Sequence, residues 1–219
     1  MGKKLSEMSM EELWQLFPVF LTEHQACWTE WFAKEEAVLK NILSQIQIKR
    51  ISHIGSTAID AIWAKPVIDI LVEISVECAM ESVNEKVSDT KKGIDSHFGC
   101  AKGRNKQCQA FGMIQSVKDL LVKSGYLCMS QSEKRISLNK GYTEDGFAER
   151  VYHLHLRYAG DNDELYFRDY LIEYPDIARK YEKLTLGLWK KYEHNRDAYT
   201  QAKTQFVNKY TQLAKQVLI

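Results

Sequence analysis

The spacing of hydrophobic residues along the chain changes twice, and each change predicts a different kind of structure. Before residue 47 the apolar positions recur at helical spacing, and Ser9 with Glu12 forms a capping-box pattern that predicts a first helix over 10–17. Over 48–54 polar and apolar residues alternate, which is typical of a strand. Helical spacing returns after residue 160. This order of helices, strands and helices predicts an α+β fold with a mixed sheet.

Four more strand-like segments follow the first, at 67–74, 126–131, 135–140 and 150–158. Their alternation collects apolar side chains on one face of the sheet, which helices would cover. The other face would gather polar side chains, namely Asp69, Glu73, Arg135, Asn139, His153, His155 and Arg157. A sheet with one solvated face shows the same alternation, so the pattern alone leaves open both a solvated face and a binding site.

The chain between the second and third strands has a different character. A helix is predicted over 75–87, whereas 91–112 combines several glycines with a cluster of basic residues and little periodicity. We expect a loop over 91–112, either solvated or in contact with nucleic acid. The elements divide into two predicted units: a core over 1–160 with N-terminal helices, and a helical extension over 161–219 that packs on it.

Composition narrows the class of protein without naming its chemistry. The 219 residues carry 30 Lys and Arg against 29 Asp and Glu, a formal net charge of +1, which removes the global electrostatic argument for nucleic-acid binding. The chain has no apolar run of the roughly 18 residues that a membrane-spanning helix needs. Its five cysteines form no Cys-x-x-Cys pair and read as reduced thiols, so we expect a cytoplasmic protein. The oligomeric state stays open.

The first predicted strand ends in Gly55-Ser56, which is the most informative motif of the chain. Glycine lets the backbone approach a ligand closely, and the backbone N–H groups and hydroxyl of such a turn can hold a phosphate. Lys65 is a candidate for neutralising that phosphate, or it is a solvated loop lysine. Asp69 lies in the second predicted strand, on the polar face.

Several blocks of residues resemble the GrpB family of small bacterial proteins. They are His53-Ile-Gly-Ser-Thr-Ala-Ile59, Lys65-Pro-Val-Ile-Asp69, Lys140-Gly-Tyr-Thr143, Tyr152-His-Leu-His155 and Phe167-Arg-Asp-Tyr-Leu171, with a closing run that holds Arg196, Asp197, Tyr199, Thr200 and Lys203. The blocks span most of the chain in the right order. Since that family is placed in the nucleotidyltransferase superfamily, the resemblance implies a nucleotidyltransferase-like sheet core with N-terminal helices and a C-terminal helical extension.

The resemblance also implies a two-metal mechanism. Superfamily members seat a triphosphate on Gly-Ser and hold Mg²⁺ or Mn²⁺ with strand carboxylates, which aligns a hydroxyl for attack on the α-phosphorus. Carried over to this chain, Gly55 and Ser56 would hold phosphate, and Asp69 would be the catalytic residue and first metal ligand. The superfamily places a second acid two residues further on, where this chain has Leu71.

Other residues would have to complete such a site. Glu73 shares the face of Asp69 but lies about 6–7 Å further along the strand, and His153 and His155 are the other candidate metal ligands. The candidates for binding phosphate or nucleotide are Gly55, Ser56, Lys65, Arg135, Arg157 and Arg168. An ion pair with a neighbouring acid is the more frequent role for an arginine such as Arg168.

Three functions therefore stay open. The first is a metal-dependent nucleotidyltransferase that acts on a nucleotide or another phosphorylated small molecule. The second is a non-catalytic module that binds such a molecule and has a degenerate metal site, which Leu71 favours. The third is a transition-metal site formed by Asp69, His153 and His155. Whether the chain is an enzyme is left open by the sequence.

Overall fold

The computed structural model describes residues 3–75 and 102–218. The helices in these ranges are α1 (Met10–Leu16), α2 (Cys27–Ile42), α3 (Lys102–Lys123), α4 (Asp163–Glu173), α5 (Pro175–Tyr192) and α6 (Arg196–Val217). The strands are β1 (Ile48–Ile54), β2 (Ile68–Ile74), β3 (Leu127–Gln131), β4 (Arg135–Thr143) and β5 (Gly146–Tyr158). Among the helices described here, none has the length and apolarity needed to cross a membrane.

Local sequence signals set where several helices begin. The capping box predicted for α1 is present: the Glu12 carboxylate accepts from the Ser9 backbone N–H at 2.7 Å, and the Ser9 hydroxyl accepts from the Glu12 N–H at 3.3 Å. Pro175 is the first residue of α5, where its missing N–H costs nothing. The Asn195 side chain accepts from the Ala198 N–H at 3.0 Å and caps α6.

The five strands form one mixed sheet in the order β1-β2-β5-β4-β3. The central pair, β2 and β5, is parallel, and the other three pairs are antiparallel. This confirms the predicted α+β architecture with a mixed sheet. The register places Asp69 beside His153 and Glu73 beside Arg157 on neighbouring strands, so the polar face predicted from alternation exists.

One face of the sheet carries the main hydrophobic core. Apolar residues of β2, β4 and β5 pack there against α2 and α3. The buried members include Trp28, Leu39, Leu43, Ile68, Ile70, Val72, Ile114, Val117, Leu121, Ile136, Leu138, Leu154 and Leu156. Full burial of each of these side chains stabilises the fold by roughly 1.5–3 kcal/mol. Because a one-residue slip would expose them, their burial fixes the sheet register and so determines which residues lie on the opposite face.

The polar face is not the solvated surface that the alternation also allowed. Leu165 of α4 packs on Ile54 and Leu71, and a second cluster joins α4, α5 and α6 to the turn after β1 through Ile59 and Ile62. Leu71 and Glu73 are fully buried as a result. The C-terminal helices thus cover part of this face, and a cavity remains between them and the rest of it.

The segment between β2 and β3 differs from the prediction. Helix α3 begins at Lys102, so the loop expected over 91–112 is wrong for 102–112. Gly103 and Gly112 suggested a loop, but a glycine inside a helix costs only about 1 kcal/mol, and the buried stripe of α3 further along outweighs that cost. The helix expected over 75–87, apart from its first residue, and the rest of the basic segment lie outside the described residues.

Candidate functional site

The turn after β1 brings Gly55 against the carboxylate of Asp69. Gly55 has φ of 71°, a left-handed conformation that favours glycine, and a Cβ at this position would overlap Oδ2 of Asp69. Pairing of β1 with β2 sets this contact, since Ile54 lies opposite Asp69. Gly55 and Asp69, which the sequence singled out, therefore meet, and Ser56 follows Gly55 in the same turn.

Two histidines of β5 flank the same carboxylate. Nδ1 of His153 lies 3.3 Å and Nε2 of His155 lies 3.6 Å from Oδ1 of Asp69. The far nitrogens have their own partners: the Tyr142 hydroxyl lies 2.7 Å from Nε2 of His153, and an Arg157 N–H lies 3.2 Å from Nδ1 of His155. Because the Tyr142 hydroxyl and the Arg157 guanidinium donate there, we place an N–H of each ring on the nitrogen that faces Asp69.

Burial and these contacts set the charge states of the cluster. Burial alone would raise the pKa of Asp69, but the contacts with His153 and His155 outweigh it and hold that pKa well below its usual range. Burial lowers the pKa of His153 to about 4, although Asp69 opposes the shift. At neutral pH the cluster is therefore a carboxylate beside a neutral His153.

A cavity of about 530 Å³ opens between this cluster and α6, and we call it the polar cavity. Its charged and titratable lining residues are Lys65, Asp69, Arg135, His153, His155, Asp163, Glu164, Arg196 and Lys203. Gly55 and Ser56 line it on the side of β1, and Tyr199 and Thr200 line it from α6. Its volume is in the range of small-molecule sites.

The charges that face the polar cavity do not balance. Arg135 forms an ion pair with Asp161, and Asp163 forms one with Lys215. Within the described residues, no carboxylate oxygen lies within 4 Å of a side-chain nitrogen of Lys65, Arg196 or Lys203. Glu164 also lines the cavity, but it forms an ion pair with Arg157 at 3.8 Å. Asp69 is therefore the acid that remains against these three cations, so the cavity has a surplus of positive charge and favours an anion.

Lys65 lies partly buried in the wall of the polar cavity. Burial, with Arg196 and Lys203 nearby, lowers its pKa to about 7, and Asp69 only partly compensates. Its ammonium lies 5.0 Å from the centroid of the Phe147 ring. A bound anion would stabilise the charged form of this partly deprotonated amine.

Glu73 and Arg157 occupy a different part of the polar face. Arg50 donates to Oε2 of Glu73 at 2.7 Å, and the Gly160 N–H and the Asn162 amide each donate to Oε1 at 3.1 Å. Glu73 does not line the polar cavity, so the structure separates it from Asp69 instead of joining the two at a metal. Its carboxylate anchors the connection from β5 to α4.

Two of the arginines expected to bind phosphate have other partners. Arg157 donates to the carbonyl oxygens of Ile136 and Leu156, and it too is absent from the cavity wall. Arg168 donates to the His53 carbonyl at 2.7 Å and forms an ion pair with Asp169, as the more frequent role of such an arginine predicts. Neither arginine lines the polar cavity.

The donor set does not fit the two-metal site that the resemblance implies. Leu71 fills the position of the second acid and packs on Ile54 and Leu165, and Glu73 is engaged elsewhere. Magnesium prefers oxygen ligands, and beside Asp69 the site offers two imidazoles. In the two stretches that the structure describes, no group of three or more His, Cys, Asp or Glu side chains is arranged to hold a metal ion.

The structure adds Arg196, Lys203 and Tyr142 to the site residues that the sequence predicts. Arg196 donates toward the Tyr142 hydroxyl at 3.3 Å and lies 3.4 Å from Nε2 of His153. Gly141 has φ of 93° at an irregularity in the pairing of β4 with β5, just before Tyr142. Arg196 and Lys203 are seven residues apart, so the sequence places them on one face of α6. Helical spacing does not show what that face contacts, so it could not place the two residues in the cavity.

Comparison with known proteins identifies relatives along nearly the whole chain. The family model described as GrpB protein matches residues 18–213. The glutamate-rich protein GrpB of Alkalihalophilus pseudofirmus is 30% identical over 195 residues, which are 87% of this chain and 92% of that protein. The crystal structure of the conserved protein GrpB from Enterococcus faecalis superposes with a TM-score of 0.63 at 26% identity, covering 89% of this chain and 96% of that one.

A more distant structural similarity is to Cid1, which has RNA terminal uridylyl transferase activity. The TM-score is 0.44 at 13% identity, and the match covers 83% of this chain and 44% of Cid1. A similarity of this size carries no functional argument. The chemistry has to be inferred from the polar cavity itself.

Proposed function

The chain belongs to the GrpB protein family, and we propose that its polar cavity binds a nucleotide or another phosphorylated small molecule without metal-dependent nucleotidyl transfer. The observation that carries this proposal is a set of three cations, Lys65, Arg196 and Lys203, which line the same cavity as Gly55 and Ser56 and form no ion pair with a carboxylate among the described residues. Such a set favours a multiply charged anion, because phosphate oxygens can accept from the ammonium groups, the guanidinium fork and the backbone N–H groups together.

The acidic part of the site supports binding over metal-dependent transfer. A two-metal mechanism needs a second carboxylate beside Asp69, and Leu71 occupies that position inside an apolar contact. The Asp69 carboxylate instead faces two imidazoles that are held by Tyr142 and Arg157. In this proposal Asp69 orients the histidines and supports the Gly55 turn. Its negative charge then opposes an anionic ligand.

Titration calorimetry with ATP, GTP, CTP, UTP and pyrophosphate in EDTA tests the proposal. We expect at least one of these anions to bind, and Lys203→Ala to weaken that binding about tenfold, since a charged hydrogen bond is lost. Lys209→Ala is a matched control, because both lysines lie on α6 over a tyrosine ring, 4.5 and 5.2 Å from its centroid, and Lys209 is outside the cavity wall. Binding that is absent for all five anions would overturn the proposal.

Asp69→Asn separates this function from metal-dependent nucleotidyl transfer. Removing the carboxylate charge should leave anion binding in EDTA unchanged or tighten it roughly three- to tenfold, because a repulsion is removed. Asp119→Asn, which changes an exposed carboxylate outside the cavity, should have no effect. If binding instead requires Mg²⁺ or Mn²⁺ and Asp69→Asn abolishes both binding and nucleotide turnover, the metal-dependent transferase is the correct function.

A further inference from the structure

A second and larger cavity, of about 1100 Å³, lies beside the polar cavity between α1, β3, β4 and α6. We call it the apolar groove, and its apolar lining residues are Leu5, Met10, Leu13, Trp14, Phe17, Leu127, Met129 and Tyr142. Helix α1 contributes no buried residue, and Met10 and Met129 are 50% and 57% exposed. Most of these lining residues do not belong to the hydrophobic clusters that stabilise the fold. An exposed apolar surface of this kind points to a ligand.

The apolar groove is continuous with the polar cavity. Arg196 and Thr200 line both, and they lie one turn apart on the same ridge of α6. Tyr142 lines the groove, and its hydroxyl lies 2.7 Å from Nε2 of His153, which lines the cavity. The guanidinium of Arg196 therefore stands at the junction, where it can hold an anionic group whose remainder extends to either side.

We propose that the ligand is amphipathic: a phosphate or diphosphate ester whose anionic group occupies the polar cavity and whose apolar or aromatic body occupies the apolar groove. This inference rests on the proposed function and names the class of ligand. The charge surplus is confined to one end, around Lys65 and Lys203, while the groove offers aromatic and aliphatic surface from Trp14, Phe17 and Met129. Inorganic phosphate or a small sugar phosphate would leave that surface exposed to water.

Two phosphate monoesters with the same charged group and different bodies test the inference. Methyl phosphate and octyl phosphate, the latter below its micelle concentration, are titrated into the full chain. We expect octyl phosphate to bind at least tenfold more tightly, because burial of only two methylene groups accounts for a factor of that size. Lys203→Ala should weaken both esters, since both depend on the cations of the polar cavity.

Met129→Asp and Ile172→Asp form the matched pair of variants. Both positions are exposed and apolar, at 57% and 52%, so each variant should fold, but only Met129 lines the groove. Met129→Asp should remove most of the advantage of octyl phosphate and leave methyl phosphate unchanged, whereas Ile172→Asp should change neither. Trp14→Ala is a second groove variant with the same expected result.

The possible outcomes keep the two proposals distinguishable. If neither ester binds, both fail. If methyl and octyl phosphate bind equally well, the amphipathic ligand is excluded and the anion site stands. If octyl phosphate binds more tightly but is insensitive to Lys203→Ala, or responds equally to Met129→Asp and Ile172→Asp, its binding is unspecific and the inference is overturned.

Discussion

Two carboxylates on the same face of β2 have opposite surroundings. Glu73 is fully buried and accepts hydrogen bonds from Arg50, Gly160 and Asn162. Asp69, four residues earlier, faces a neutral His153, His155 and the cation-rich polar cavity. Both positions satisfy the same alternation, so their difference comes from what the sheet neighbours and the C-terminal helices bring to them.

The two carboxylates distinguish a stabilising end of the polar face, around Glu73, from the end around Asp69 that we propose binds the ligand, which we call the ligand-binding end. At Glu73 the carboxylate forms an ion pair with Arg50, and the hydrogen bonds from Gly160 and Asn162 join the β5–α4 connection to the sheet. At Asp69 the cations outnumber the acids, and the imbalance is stable only because water or a ligand can reach it. Substitutions at the first end should therefore affect stability, and those at the second should affect binding.

The largest effect should come from Glu73→Ala. The substitution removes a buried partner of Arg50 and leaves the Gly160 N–H and Asn162 amide without their acceptor, which costs about 3 kcal/mol of unfolding free energy. For a domain of this size the melting temperature should fall by roughly 6–12 °C, measured by calorimetry. Glu73→Gln keeps a hydrogen-bond acceptor, so its loss of unfolding free energy should be about half as large.

Asp69→Asn is compared with Glu73→Ala in the same calorimetric unfolding measurement. It should lower the unfolding free energy by less than about 1 kcal/mol, since an amide oxygen still accepts from the histidine N–H groups. Equal destabilisation by Asp69→Asn and Glu73→Ala would mean that both carboxylates are structural, and the division of the polar face into two ends would be wrong.

Gly55→Ala should have the next largest effect, and it acts on the ligand-binding end. The left-handed φ and the overlap of a Cβ with Oδ2 of Asp69 together cost about 2 kcal/mol, and the displaced carboxylate should disturb anion binding as well. Gly187→Ala is the matched control, because Gly187 lies inside α5 with open space around it and an alanine there stabilises a helix by up to about 1 kcal/mol. A lower melting temperature for Gly55→Ala and a higher one for Gly187→Ala would confirm that the conformation of the Gly55 turn causes the loss of stability, and not the replacement of a glycine as such.

The fold and one part of the site could be predicted from the sequence because they depend on local patterns. Alternation identified the faces of β2 and β5, and the Gly55-Ser56 turn marked the end of β1. A strand residue's face follows from its position alone. That is why Asp69, His153 and His155 were correctly placed together.

The remaining parts depend on contacts between elements that are distant in the chain. Glu73 and Asp69 are equivalent by alternation, and only the pairing of β1 with β2 gives Arg50 to one of them. Arg196 and Lys203 reach the polar cavity because α6 packs on α4, which no spacing within α6 reveals. The start of α3 was missed because glycines at 103 and 112 look like loop residues until the helix has a core to pack on.

The smallest expected effect is a pH dependence of anion binding that comes from Lys65. Its pKa of about 7 means that the amine is about half charged at pH 7 and nearly neutral at pH 9. An anion favours the charged form, so affinity should fall as pH rises, by roughly five- to tenfold between pH 7 and pH 9. Above pH 7 a phosphate ester is already close to its full charge, because its second pKa is about 6, so the ligand adds little to the slope.

Lys65→Arg is the variant that isolates this effect. An arginine stays charged throughout the range, so the affinity of the Lys65→Arg protein for methyl phosphate, measured by calorimetry, should vary little between pH 7 and pH 9. The Lys209→Ala protein, with Lys65 intact, should keep the slope of the parent chain. A parent affinity that does not change over this range would mean that Lys65 does not contact the ligand, and the anion would then be held at the Arg196 end of the polar cavity, next to the apolar groove.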